Sequence, residues 1–595
     1  MKYYIKNILN KSFVILLLTT TLYAQSINIK IIETSDVHGA IFPYNFTADR
    51  QSNNSLAQVH TFAQQERANE NQEVILIDNG DILQGDPSVY YYNFEKTDTT
   101  HLLSQVMNYM KYDVATVGNH DIETGHPVYD KFHAELDFPW LAANANNTDK
   151  EGTYFPPYHI IEKTIADKKI KIAVLGMITP GIPNWLPKNI WSGIDFEDKI
   201  ITAKKWIPII KEKENPDILV GLFHAGVDHT YDNQTADMNR NENAAQLVAE
   251  QVPGFDVVFV GHDHHEWNFK VADENGDSVL ILGPASRARS VTVANINFDF
   301  NKSSNKWNKN ISGEVVNMKN YEPDSLFLET FSDEFNLTKE YVTRPIGKFT
   351  KTISAKESIF GNSSFVDLIH KIQLELTNAD VSFTAPLSLN SEISIGDVYV
   401  KDMFNLYRYE NLLYTMELTG QEIKDYLEFS YSTWFNTVKN KDDNLLQFNR
   451  DENGNLILSK RSNAPMLTNR YYNFDSAEGI NYIVNVTKEP GERITIKSMS
   501  DGSKFELDKK YKVAVNSYRG NGGGGHLVNG ARIPKDELSN RIITSTEKDL
   551  RYYMMKWIEK NKVIDPKEDV NWTIEPKEYI DVAKDRDYNL MFGTK

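Results

Sequence analysis

From Ile27 to about Met318, short apolar runs alternate with amphipathic stretches of helical spacing. Ile27–Glu33, Val74–Ile77, Val114–Val117, Ile170–Met177, Ile218–Phe223 and Val257–Val260 are compact blocks rich in β-branched side chains, as expected of buried strands. Between them, Ser55–Asn69 and Leu102–Tyr112 read as helices. In the first of these, Leu56, Val59, Phe62 and Ala63 fall on one face. Strand–helix alternation of this kind predicts layers of sheet covered by helices, an α/β fold.

The pattern changes twice further along. A polar, acidic helix from Asp324 to about Tyr341 follows Pro323 and reads as a linker within residues 319–344. A second unit, 345–562, has a helix at Phe365–Leu376 and another opening with the capping box Thr419-Gly-Gln-Glu422. Strands are expected at Asn481–Val486 and Tyr511–Val515. The tail, 563–595, is polar and carries no readable period. At the other end, Lys2, Lys6 and Lys11 precede the apolar run Ser12–Leu22, and Ala24 stands before Gln25. This is the layout of a secretory signal peptide over residues 1–24, which predicts an exported protein, periplasmic or secreted. The run is shorter than the ~18 residues of a spanning helix, and no later segment is a better candidate. The mature first unit is then 25–318.

Composition narrows the chemistry. The 595-residue chain has a formal net charge of −18, which speaks against a nucleic-acid duplex as partner. It has no cysteine, so disulfides, thiolate catalysis, a lipid-anchored cysteine and iron–sulfur clusters are excluded. An acidic protein that handles anionic substrates needs a local source of positive charge, and a metal site supplies it.

Candidate ligands stand just past successive strands of the first unit. Asp36-Val-His38-Gly39 follows the first, Asp78-Asn-Gly80-Asp81 the second, and Gly118-Asn119-His120-Asp121 the third. His224 ends a later strand, and Gly261-His262-Asp263-His264 follows the last. The carboxyl ends of parallel strands converge on one crevice. Oxygen ligands (Asp36, Asp81, Asn119) mixed with imidazoles (His38, His224, His262, His264) suit divalent first-row metals. Seven candidates exceed what one tetrahedral ion accepts, so two ions sharing a carboxylate are expected. Asp78, Asp121 and Asp263 are expected to support ligands rather than bind metal. His101, His126, His133, His159, His229, His265, His370 and His526 lie outside the pattern.

On these motifs the sequence resembles the calcineurin-like metallophosphoesterases, specifically the secreted 5′-nucleotidase / 2′,3′-cyclic-nucleotide 2′-phosphodiesterase family, over nearly the whole mature chain. The resemblance implies an N-terminal four-layer α/β/β/α metallophosphoesterase domain, a linker helix and a C-terminal α/β nucleotidase domain. It assigns Asp36, His38, Asp81 and His264 to one metal and Asp81, Asn119, His224 and His262 to the other, with Asp81 bridging. Some family members carry Gln at the place of His264. His120 matches the histidine that stabilises the transferring phosphoryl group, and Glu123 stands where the family commonly has an orienting Asp. Two divalent ions (Mn, Zn or Co) about 3.5–4 Å apart and direct hydrolysis by metal-bound hydroxide are implied.

The second unit should choose a nucleotide substrate. By the same resemblance, Tyr409, with nearby Asn411, and Tyr518, in Asn516-Ser-Tyr518-Arg519-Gly-Asn-Gly-Gly-Gly-Gly525, offer two faces for a base. A stacked base is worth ~1–3 kcal/mol on such a platform. The family's 5′-nucleotidases hold their substrate with arginines from this domain. Here Ala385-Pro-Leu-Ser-Leu-Asn390 has Asn at one such position, which leaves Arg519 as the candidate replacement. Ala385-Pro386 and Tyr472-Asn-Phe-Asp475 look more like the cyclic-phosphodiesterase/3′-nucleotidase branch. The expected activity is hydrolysis of 2′,3′-cyclic nucleotides and 3′-nucleotides. The alternatives are a 5′-nucleotidase or another phosphate- or sulfur-ester hydrolase on the same metals, or a nucleotide-binding surface protein with a vestigial site.

Overall fold

The computed structural model describes residues 26–593 except 166–167, 232–233, 302–305 and 460–462. The expected signal peptide, 1–24, lies outside the described residues. Side chains alternate between the two faces of each strand, and this sorts the first unit into layers. In the strand Ser26–Thr34, Ile29 and Ile31 enter an apolar layer shared with Ile75, Ile77, Val174, Val220 and Phe259. Ile32 turns the other way, into a cluster with Leu56, Val59 and Phe62 of the helix Leu56–Arg67.

Two six-stranded sheets result. One runs Lys306–Asn317, Ser290–Asn301, Ser26–Thr34, Glu73–Asp78, Val114–Thr116, Trp140–Leu141. The other runs Trp267–Ala272, Ser278–Gly283, Val257–Val260, Ile218–His224, Lys168–Ile178, Tyr158–Ile165. Their inner faces meet. The outer face of the second sheet is covered by Lys199–Glu214 and Ala245–Gln251 through Ala203, Ile207, Ile210 and Val248. The order of layers is α/β/β/α. The central strands of each sheet are parallel, Ser26–Thr34 with Glu73–Asp78 and Lys168–Ile178 with Ile218–His224 and Val257–Val260. Their carboxyl ends therefore share one edge of the sandwich.

The single linker helix expected between Asp324 and Tyr341 is two helices, Ser325–Thr330 and Ser332–Val342, with the bend at Phe331. The bend lets three aromatic rings reach the first unit. Phe327 and Phe331 pack on Tyr109, and Phe335 packs on Phe42 and Phe46.

The second unit is built on a five-stranded sheet: Ser476–Glu478, Val381–Thr384, Lys510–Asn516, Leu413–Thr419, Ile542–Ser545. Helices Ser364–Thr377 and Gly420–Ser432 pack on it, and the capping box forms with Thr419 Oγ1 accepting from Glu422 N. The residues beyond 562, read as an unpatterned tail, belong to this unit. Trp572–Glu575 pairs in parallel with Ile480–Asn485. Lys577–Phe592 forms a helix whose Asp587 accepts from Leu446 N at 2.9 Å. Ile580 and Ala583 supply its buried apolar face, and Trp572 of the strand is buried as well.

The units are packed together. The Tyr90 ring meets Phe404 edge-on at 5.3 Å, and its hydroxyl donates to Asp549 at 2.9 Å. The guanidinium of Arg551 lies over both rings.

Candidate metal centre and substrate cleft

The strand ends carry the candidate ligands on strained backbone. Asp36, His38, Asp81, His262 and His264 all adopt positive φ, between 48° and 72°. Side chains with a Cβ avoid this region, and such outliers persist where the surroundings hold them. Two loops also approach unusually closely. Gly80, at φ +85°, would drive a Cβ to 2.5 Å from Gly118 N, and a Cβ on Gly118 would lie 2.2 Å from Asp81 Oδ1. Glycine at both positions brings Asp81 and Asn119 to one place.

Two groups of donor atoms form, each within 4.8 Å: Asp36, His38 and His264, and Asp81, His224 and His262. His38 Nε2 is 3.1 Å from His264 Nε2, which is 3.3 Å from Asp36 Oδ1. His224 Nε2 is 3.2 Å from Asp81 Oδ2 and 3.1 Å from Asn119 Oδ1. All seven candidates thus meet at the sheet edge. Their backing fixes tautomers. His38 Nδ1 faces Gln84 O at 3.1 Å and His224 Nδ1 faces Asn79 O at 2.6 Å, so each presents Nε2 to the site. Asp121 accepts from the backbone N–H groups of Gly118, Asp81, Ile82 and Leu83 and so ties two ligand loops together. Asp78 accepts from Thr34 and Gly80, and Asp263 from Trp267 and Val227.

This donor set fits divalent cations. Asp36 and Asp81 are buried, and their side-chain partners are the Ser35 hydroxyl, backbone N–H groups and imidazoles. Burial pushes His38 and His262 down to about 3, which keeps them in the neutral, ligating form. Burial also opposes charge on His224, but Asp81 outweighs it and lifts the imidazole to about 9. A bound cation would supply the positive charge that Asp81 otherwise draws onto His224.

His120 stands beside the groups on the cleft wall. Its Nδ1 lies 2.5 Å from Glu123 Oε2, and its ring is 5.6 Å from that of His38. Burial disfavours its charge, yet Asp81 and Glu123 carry it up to about 10.

The cleft is a cavity of about 490 Å³ between the units. Asn119, His120, Glu123 and His262 from the first unit face Tyr409, Asn411 and Tyr518 from the second. Arg519 does not belong there. It is 1% exposed, and its guanidinium donates to Asp475 through Nε and Nη2, both at 3.0 Å, and to Tyr472 O, Asn473 and Gly523 O. Its donors are spent inside the fold, so the substrate-contact expectation for Arg519 is withdrawn. Asn390 is exposed, and Leu387 is what its segment gives the cleft. The lining also holds residues that were not anticipated, among them Trp185, Glu242 and Arg470, and it takes in Tyr472. Trp185 stacks on His262 at 5.8 Å and 25°. Trp185 closes one short helical turn and Tyr472 lies in another, each too brief for a period to mark it. Of the histidines set aside, His101 and His370 are buried in hydrogen-bonded packing, and His265 is exposed.

Residues 29–266 match the calcineurin-like phosphoesterase family model, and 345–529 match the 5′-nucleotidase C-terminal domain. The chain belongs to this two-domain phosphoesterase family. It is a metal-dependent phosphoric ester hydrolase by family. It is 27% identical to the trifunctional nucleotide phosphoesterase protein YfkN of Bacillus subtilis over 93% of this chain and 39% of that protein, so it spans well under half of that relative. It is 24% identical to a 2′,3′-cyclic-nucleotide 2′-phosphodiesterase/3′-nucleotidase of Haemophilus influenzae, over 93% of this chain and 88% of that one. Its fold is similar to a putative 5′-nucleotidase from Staphylococcus aureus, with a TM-score of 0.73 at 22% identity, covering 92% of this chain and 100% of the other.

Proposed function

We propose that this phosphoesterase is an exported, dinuclear-metal nucleotide phosphohydrolase that prefers 2′,3′-cyclic nucleotides and 3′-nucleotides. The observation that carries this reading is the shared cleft: Asn119 and His262 of the candidate ligands, and His120, line the same cavity as Tyr409 and Tyr518. Asp36, His38, Asp81 and His264 would hold one ion, and Asp81, Asn119, His224 and His262 the other. When bound, such ions polarise the phosphoryl group and acidify the attacking water. His120 holds its Nδ1 proton toward Glu123, which orients the ring, and in its charged form donates from Nε2 to the departing oxygen. Tyr409 and Tyr518 grip the base, and Asn411 stands beside them for hydrogen bonding.

The branch preference follows from charge and reach. A cyclic diester carries one negative charge, and its phosphorus lies on the ribose edge close to the stacked base. With Arg519 turned inward, Arg470 is the one guanidinium among the residues lining the cavity. That suits a monoanionic ester better than a remote 5′-phosphate dianion. The test is kcat/KM for 2′,3′-cyclic AMP, 3′-AMP and 5′-AMP under one metal condition, with chelator and metal analysis alongside. Preference for the first two is expected, and a clear preference for 5′-AMP would return the protein to the 5′-nucleotidase reading. Activity that survives complete chelation would remove the metals from it.

A further inference from the structure

One buried side chain grips both units. Arg551 is fully buried in the first turn of the helix Leu550–Asn561, which Asp549 caps. Its Nε donates to Tyr407 O at 3.0 Å and its Nη2 to Arg408 O at 2.6 Å, and Nη1 lies 3.5 Å from Glu410 Oε1. Leu550 N donates to Asn411 O at 2.8 Å. The segment 407–411, which brings Tyr409 and Asn411 to the cleft, is therefore held at both ends by the turn Asp549–Arg551. The same turn holds the first unit. The Arg551 guanidinium lies 4.9 Å from the ring centre of Tyr90, and Asp549 accepts from the Tyr90 hydroxyl at 2.9 Å. Tyr90 belongs to the helix Pro87–Phe94, which follows Gln84-Gly85-Asp86 directly. There Gln84 O faces His38 Nδ1, and a Cβ on Gly85 would lie 3.0 Å from that of His38. One chain of contacts thus runs from a candidate metal ligand to the base platform.

We infer that Arg551 is a positioning residue, which fixes how far a bound base stands from the metal centre by holding the segment 407–411 and Tyr90 at once. This rests on the proposed reading of Tyr409 and Asn411 as base contacts, and it concerns the link from those contacts to the metals. A guanidinium suits the task. Its planar fork sends donors in several fixed directions, so one rigid group meets two carbonyls and a carboxyl. Its faces remain for the rings of Tyr90 and Phe404. A lysine in its place would keep the charge and lose the fork. Glu410, 6% exposed, stands between Tyr409 and Asn411 in the chain. Burial pushes its carboxyl up and the Arg551 charge opposes that, while Glu123 and His120 of the first unit also act on it. The grip is therefore beside the wall of the cleft that carries His120. A substrate whose base is held has its phosphate aimed by this scaffold, and a substrate without a base does not. A displacement of ~1 Å at the reacting atoms can cost about 100-fold in rate, so a small loosening is measurable.

The experiment uses the metal-loaded full chain and two variants. Arg551→Lys keeps a charge but cannot reach all three acceptors, and Tyr90→Phe removes only the hydroxyl that meets Asp549. Each is assayed on 2′,3′-cyclic AMP and on bis(p-nitrophenyl) phosphate, a diester without a base. The ratio of kcat/KM, nucleotide to aryl diester, should fall about ten-fold in Arg551→Lys and at least about three-fold in Tyr90→Phe. Hydrolysis of the aryl diester and bound metal should stay at their wild-type values. In Tyr90→Phe the loss should fall on kcat, because the platform still grips the base while its phosphate is less well aimed. A ratio changed by less than about three-fold in either variant overturns the inference. So does a parallel loss on both esters or a loss of metal, which a merely structural role would give, and so does a loss on KM alone in Tyr90→Phe. Should Arg551→Lys fail to fold, Tyr90→Phe decides alone. The proposed substrate is judged on wild-type rates, whereas this inference is judged on the change a variant makes, so the two fail separately. If the wild-type chain prefers 5′-AMP, the ratio is taken with 5′-AMP over p-nitrophenyl phosphate and read in the same way.

Discussion

Removing Arg519 separates a structural from a substrate role for the residue beside Tyr518. In the fold it forms a two-pronged ion pair with Asp475, which also accepts from the Tyr426 hydroxyl. Both partners are 2% exposed or less. Burial alone would raise Asp475, and the Arg519 charge brings it below the usual carboxylate range. Arg519→Met leaves that carboxylate buried with one hydroxyl, and breaking a buried pair from one side costs about 3–5 kcal/mol. At a urea dependence of ~3 kcal/mol per molar, the unfolding midpoint of the second unit should drop by more than about 1 M. The assay is urea unfolding of the whole chain followed by tryptophan fluorescence, since Trp434 stacks on Phe474, the neighbour of Asp475. Adding Asp475→Leu should recover part of the loss, because it removes the stranded charge. A variant that unfolds at wild-type urea but binds nucleotides more weakly would refute the reasoning and put Arg519 back in the cleft.

Two other perturbations reach different parts of the molecule. Asp121→Ala strips the acceptor from four backbone N–H groups in the loops of Asp81 and Asn119. At about 1–3 kcal/mol for each unpaired group, it should lower the thermal midpoint and reduce bound metal; unchanged metal content would show that the loops hold without it. Asp367 is pushed up to about 8 by burial, with the charges of Glu478, Glu568 and Asp569 adding to it and the Asp569 N–H opposing. Between the unfolded value near 4 and about 8, the folded state keeps a proton that the unfolded chain releases. Stability should therefore fall by up to ~1.4 kcal/mol per pH unit across that window, and Asp367→Asn should flatten the slope in urea titrations from pH 4 to 9.

The layers were legible because each central strand is a short apolar block, and a block buried on both faces cannot be mistaken for a surface segment. The tail was not. The partner of Trp572–Glu575 lies near Ile480, and pairing over such a separation leaves no local trace. Arg519 shows a finer limit. Ser517–Gly520 is a single turn of helix capped by Asn516, and neighbours on a turn point about 100° apart. With Tyr518 turned to the cleft, Arg519 turns into the fold, although in the sequence they look like one motif.

The candidate ligands were legible for a related reason: each stands at or just past a strand end, where a parallel sheet delivers side chains to one crevice. What the sequence does not carry is the conformation that aims them. Five of the seven sit at positive φ, and none of the five is glycine, the residue that would advertise it most plainly. Strain of this kind, about 1–3 kcal/mol per residue, survives only where neighbouring bonds over-determine the turn. Here those bonds are visible. Asp36 N donates to Gly80 O and His38 N to Asp81 O, so the first loop is held by the second; Asp121 in turn binds the second to the third. The site is therefore rigid before any ion enters. Its geometry comes from backbone hydrogen bonds between loops, to which Asp36 and Asp81 add by accepting from the His262 and His120 N–H groups.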